Sequence, residues 1–207
     1  MNPIGDLLKF FAKRAAQRLE TEQTAQRWRD GSDAFQKGKD FYFERRGKDF
    51  NHKRRMQEAL DCFDKAIDCG YVDDADVYAM RGGCLQSLNF DLEAIDDFDK
   101  AIALEPEDSN LFFQRSLSKG STRDFHGCVS DLQEAIRLAG VDNAYTRSHD
   151  AQAREWGYRN SAHFYEMKME SAKLDLDVFD DPDSSLQGYY KKTANMRRRP
   201  NIRRTEE

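Results

Sequence analysis

Catalysis and metal binding need particular side chains at particular spacings, and this sequence supplies few of them. Its four histidines, His52, His126, His149 and His163, share no motif. No H-E-x-x-H, G-x-S-x-G or phosphate-cradling G-x-x-x-x-G-K-[ST] pattern occurs. Gly82 and Gly83 stand inside a helical pattern, where they mark close packing rather than a nucleotide loop. The four cysteines, Cys62, Cys69, Cys84 and Cys128, form no C-x-x-C pair and have no histidine at ligand spacing. They read as buried, reduced thiols of a cytoplasmic protein. Asp175, Asp177, Asp180, Asp181 and Asp183 crowd together, which invites a calcium loop. Such a loop needs a mid-loop glycine and a closing glutamate, and here Pro182 and Ser184 stand near the turn with no glutamate at the closing position. The expectation is therefore no enzyme, no metal site and no cofactor.

Charge offers a second kind of chemistry. Arg45, Arg46, Lys48, Lys53, Arg54 and Arg55 cluster with His52, and a second basic run holds Lys191, Lys192, Arg197, Arg198, Arg199, Arg203 and Arg204. The first suits an acidic protein segment, RNA or anionic lipid; the second suits a nuclear-import or nucleic-acid segment, or a fold back onto the acidic stretch before it. The plainer reading is a solvated loop and a solvated tail. Only Phe50 accompanies the first cluster, so it lacks the aromatic platform of a single-strand binder. The net charge of -5 also argues against a general nucleic-acid binder.

The elements that would position any such groups come from an internal repeat. Residues 76–104 superpose on 110–138 with every pair 34 apart: Tyr78 on Phe112, Arg81 on Arg115, Gly82 on Ser116, Ala94 on Cys128, Phe98 on Leu132, Ala101 on Ala135. Each unit reads as two helices. The first unit of the pair has a helix from Asp76 to about Leu88, a turn at Asn89 to Asp91, and a helix from Leu92 to Leu104 stopped by Pro106. Leu92, Ile95, Phe98 and Ile102 share one helical face, which leaves Asp96, Asp97 and Lys100 for the wet side. An earlier unit holds Gly38, Ala59, Phe63 and Ala66, with nine extra residues between its helices (38 to 59 is 21; 82 to 94 is 12). Fourteen Phe and eight Tyr supply a core that a disordered chain would lack.

These residues resemble the tetratricopeptide repeat family. Tyr78, Gly82, Ala94, Phe98, Ala101 and Pro106 fill that family's roles in order, and the resemblance covers residues 31–140. It implies an all-α fold, an α-solenoid of stacked antiparallel helix pairs whose job is to bind other proteins. In the family the first helices line a concave groove. The register then assigns Phe35, Lys39 and Tyr42, then Asp76, Ala79, Gly83 and Gln86, then Asn110, Phe113 and Leu117 to that groove. An extended peptide or an amphipathic helix suits such a lining. Phe35 and Phe113 have a second reading, as core. Some members clamp the C-terminal carboxylate of heat-shock chaperones. Here the matching positions hold Phe35, Lys39, Met80, Asn110 and Gln114, too few donors for a carboxylate, so that partner is not expected.

The remaining organisation is an N-terminal amphipathic helix over 1–30, repeats over 31–74, 75–108 and 109–140, capping helices over 141–175, and an acidic then basic tail over 176–207. In the first of these, Ile4, Leu7, Leu8, Phe11, Ala15 and Leu19 form an apolar stripe flanked by Lys9, Lys13, Arg14 and Arg18. It suits packing on the solenoid, masking of the groove, or a membrane surface. No run reaches membrane-spanning length, and the N-terminus lacks a secretory pattern. The function expected is a cytoplasmic scaffold that holds a partner protein. A membrane-peripheral assembly factor and an RNA-associated protein are the alternatives.

Overall fold

The computed structural model describes residues 3–43 and 52–180, the side chains of 3–12, 14 and 15 excepted. Among the described residues there are eight helices and no strand: α1 (Pro3–Phe43), α2 (His52–Asp68), α3 (Ala75–Ser87), α4 (Asp91–Leu104), α5 (Ser109–Ser121), α6 (Phe125–Ala139), α7 (Ala144–Glu155) and α8 (Ser161–Asp180). α1 pairs with α2, α3 with α4 and α5 with α6, and each pair packs on the next. α8 lies along α6 and closes the stack. The fold is the all-α stack of antiparallel helix pairs that the resemblance implies.

Repeated sequence signals start and stop these helices. Asp74 and Asp108, 34 apart, cap α3 and α5 by accepting the backbone N–H of Asp76 and of Asn110. Asn143 caps α7 through Thr146 N–H. Each such side chain satisfies a donor that the helix itself leaves open. The turn inside each of the two pairs places a non-glycine residue in the left-handed region, Asn89 at φ 65° and Arg123 at φ 70°, again 34 apart.

Packing within a pair depends on a small residue facing a large one. A Cβ added at Gly82 would stand 2.9 Å from Phe98 Cζ, and one at Gly38 2.6 Å from Phe63 Cε1. Phe63, Phe98 and Leu132 occupy one position in successive second helices and are 0%, 1% and 2% exposed. Ala66, Ala101 and Ala135, each fully buried, let the helices approach.

Asp97 departs from the sequence reading. It was expected on the wet side, yet it is only 1% exposed. The reason is Arg81, whose Nε and Nη2 both donate to it at 2.7 Å, while Nη1 reaches Asp64 at 3.1 Å. The unit 34 residues on repeats this clip. Arg115 donates to Asp131 at 2.8 and 2.7 Å and also to Asp99. Each arginine thus ties its own second helix to the second helix of the preceding pair. Burial disfavours the Arg81 charge, but the bonds it donates to Asp97 and the charges of Asp97 and Asp64 outweigh it and hold the guanidinium pKa above its ordinary value.

Three expected boundaries also shift. A break at 30/31 does not occur, because α1 runs through it. Gly31 sits within the helix, where a Cβ would meet Cys69 Cβ and Tyr71 Cβ at 3.1 Å. Residues 16–29 are exposed, Leu19 at 58% and Trp28 at 56% among them, although Arg27 donates to Asp68 O at 3.1 Å and Trp28 meets Tyr71 at 5.8 Å. The other residues of the N-terminal stripe lie outside the described side chains. Lys53, Arg54 and Arg55, expected in a loop, belong to α2, where Arg55 donates to Phe41 O at 2.8 Å. Arg45, Arg46 and Lys48 lie outside the described residues. The tail was expected to begin at 176, but α8 continues to Asp180, because Phe179 packs on Phe125 at 5.3 Å and Asp180 meets His126 at 3.1 Å. The basic run from Lys191 lies outside the described residues. Among them, no helix is long and apolar enough to cross a membrane, and no His, Cys, Asp and Glu group has metal-binding geometry.

Candidate partner-binding cleft

A cleft of about 630 Å³ crosses the inner face of the stack, lined by the end of α1 and by α3, α5, α7 and the start of α8. Close approach shapes one wall. Gly83 has no side chain because Tyr42 of α1 leans against it, and a Cβ there would meet the Tyr42 hydroxyl oxygen at 2.5 Å. Phe43 and Trp156 line the cleft and remain 61% and 55% exposed.

Tyr42, Asp76, Ala79, Gly83, Asn110 and Phe113 are brought together in this cleft as the register assigned them. Four other assigned residues are not. Phe35 is 6% exposed and packs on Tyr71 at 5.2 Å and Phe63 at 5.9 Å, so it is core. Lys39 lies over the Phe35 ring at 5.2 Å. Gln86 donates to Gln114 O at 2.7 Å and to Ser118 Oγ at 2.8 Å, bridging α3 to α5 one turn beyond Gly83. Leu117 lies past that bridge in a separate hollow of about 370 Å³ with Phe125 and Cys128. Phe113, though it lines the cleft, is itself 7% exposed against Phe164 at 5.0 Å and Tyr165 at 5.1 Å. The aromatics of α8 cover it, so its core reading holds for most of the ring.

Sequence reasoning missed the far wall. Glu105 and Asp108, in the connection before α5, line the cleft, and so do Tyr145, His149 and Trp156. The spacing of Asp74, Asp108 and Asn143 carried a signal for it, because a cap after two regular units announces a further first helix.

The cleft is acidic. Loss of solvent raises the pKa of Asp76 above its ordinary value, and the charge of Asp74 adds to this. Glu105 is also raised, first by burial and then by Asp76 and Asp108, against a hydrogen bond from Tyr145. Burial raises Asp108 too, with His149 and the N–H of Asn110 opposing. The carboxylates therefore sense one another across the cleft floor.

Asp108, His149 and Ser109 are neighbours, which raises the question of a nucleophile. Ser109 Oγ is 3.4 Å from His149 Nδ1, and His149 Nε2 is 3.6 Å from Asp108 Oδ1. Both separations exceed a working hydrogen bond, and Ser109 is only 1% exposed. The group is a packing network between α5, α7 and Tyr165. All four cysteines are free; burial pushes the Cys84 and Cys128 thiols up to about 12 and about 11, which keeps them protonated.

No protein-family model matches the chain, and no curated protein matches it. Solved structures do. The Arabidopsis OM64 TPR domain is 16% identical, with a TM-score of 0.47 over 62% of this chain and 98% of that one. The first TPR of Spaghetti (RPAP3), bound to the HSP90 peptide SRMEEVD, is 15% identical, with a TM-score of 0.46 over 63% of this chain and 95% of that one.

Proposed function

We propose that this chain is a protein-interaction module that holds a segment of a partner protein in the cleft between α1, α3, α5 and α7. The observation that supports this reading most is the cleft itself, built from the first helices of successive pairs and flanked by the exposed Phe43 and Trp156. Exposed aromatics beside a preformed groove are typical anchors for a docked peptide or helix. The same reading places the chain in the cytoplasm as a scaffold, not an enzyme. Its test is affinity capture with the full chain, with Ala79→Phe, which fills the cleft, and with Gln133→Ala on the exposed side of α6. The expected result is a partner held by the natural chain and by Gln133→Ala but lost from a folded Ala79→Phe. A partner retained equally by all three overturns the reading.

A further inference from the structure

Resting on the reading of the cleft as a partner site, we infer that its occupant is a cationic peptide segment of the partner, with arginine or lysine side chains set between apolar ones. Charge complementarity carries this. Asp76, in the first turn of α3, and Glu105 and Asp108, in the connection before α5, line the cleft together. No described residue lining it is Lys or Arg, although 33 of the chain's 207 residues are. The nearest opposing charges are incomplete. Lys39 offsets Asp76 only in part, and His149 does the same for Asp108, so both carboxyls remain raised. Three carboxylates that repel one another in a half-desolvated cleft gain most from a ligand that brings positive charge and excludes water.

The aromatic residues point to the same class. Trp156 and Phe43 are exposed aromatics lining the same cleft as the carboxylates, and a guanidinium or ammonium gains from both an aromatic ring and a carboxylate. The half-buried Ala79 and Met80 in the same lining leave apolar ground for the intervening side chains. A terminal carboxylate, by contrast, would face the same three carboxylates with no Lys or Arg among the described lining residues.

The probe is a fluorescein-labelled peptide of alternating arginine and leucine, about ten residues long, acetylated and amidated so that neither end is charged. Anisotropy with the full chain is expected to show binding that weakens with added salt. Changing Asp76→Asn, Glu105→Gln and Asp108→Asn together keeps the α5 cap, because asparagine caps as well as aspartate. This variant, its fold checked by thermal unfolding, is expected to raise Kd by about tenfold or more. Trp156→Ala is expected to raise it about threefold. Equal affinity for a peptide with glutamate in place of arginine, or unchanged affinity in the triple variant, overturns the inference. So does binding that appears only after Arg197, Arg198 and Arg199 are changed to Gln, because the occupant is then the chain's own basic end. A captured partner that leaves Ala79→Phe but stays on the triple variant separates the two ideas: the cleft then stands as the docking site while its preference for cations falls.

Discussion

Removing Asp97 tests the clip that joins successive helix pairs. Asp97→Ala deletes two bonds of 2.7 Å to a guanidinium whose side chain is 18% exposed, and leaves it only the 3.1 Å contact with Asp64. Arg81→Met is the reciprocal change. It leaves a carboxylate that is 2% exposed with only Lys100, at 3.7 Å. Breaking a buried ion pair from one side costs about 3–5 kcal/mol. The surviving partners place each single variant near the lower end, about 3 kcal/mol, or roughly 6–12 °C in Tm for a chain of this size. The double variant Arg81→Met with Asp97→Ala removes both charges of the 2.7 Å pair and takes this arginine only from the more exposed Asp64, so it is expected to lose about 2–3 kcal/mol less than the two single losses added together. The assay is urea unfolding followed by circular dichroism, with the m-value required to stay constant across the set. A loss under about 1 kcal/mol in Asp97→Ala refutes the reasoning. A double variant whose loss equals the sum of the singles within about 0.5 kcal/mol also refutes it.

Other outcomes follow from the same structure. Phe98→Ala empties the centre of the second pair and is expected to cost about 3–5 kcal/mol, while Gly82→Ala forces a Cβ to 2.9 Å from that ring and is expected to cost about 1–3 kcal/mol, both measured by the same unfolding assay. Asn89→Ala puts an ordinary side chain at φ 65° and is expected to lower stability by about 1 kcal/mol, with Asn89→Gly no less stable than the natural chain. The carboxyls of Asp76, Glu105 and Asp108 titrate above their unfolded values, so between the unfolded and folded pKa values the native state holds more protons than the unfolded state, and stability falls as pH rises through that window. The triple amide variant is therefore expected to be the more stable at pH 7, with the difference shrinking as the pH drops toward the ordinary carboxylate range, and pH-independent parallel curves contradict this. In the native chain an aromatic disulfide reagent is expected to modify the half-exposed Cys62 and Cys69 before the buried Cys84 and Cys128, and all four together once urea unfolds it.

The helix pairs were legible because their signals are local and periodic. A 34-residue offset, a proline after α4 and aspartates before α3 and α5 each act within a few residues of their position. Gly82 opposite Phe98 was legible as a pattern of types, and the structure supplies its cause in a 2.9 Å approach. Asp97 was misread because helical periodicity sorts residues by polarity, whereas a carboxylate can be buried when a distant arginine answers it. Arg81 and Arg115 had been aligned as equivalent, but nothing local shows that both reach back to the preceding pair. The cleft was half legible for a similar reason. Residues on one helix face, such as Asp76, Ala79 and Gly83, follow from register. Whether Phe35 points to solvent or into Tyr71 and Phe63 depends on how the end of α2 folds over α1, which is a tertiary event. Likewise α8 covers Phe113 from 51 residues away (164 less 113).

The most direct test of the central claim is site-specific photocrosslinking in the full chain. A photoreactive residue replaces either Met80, inside the cleft, or Gln133, exposed on α6, and the chain is mixed with its captured partner. The account predicts a covalent adduct from Met80, suppressed by excess arginine–leucine peptide, and none from Gln133. An adduct from Gln133 alone, or equal adducts from both that the peptide leaves unchanged, contradicts it.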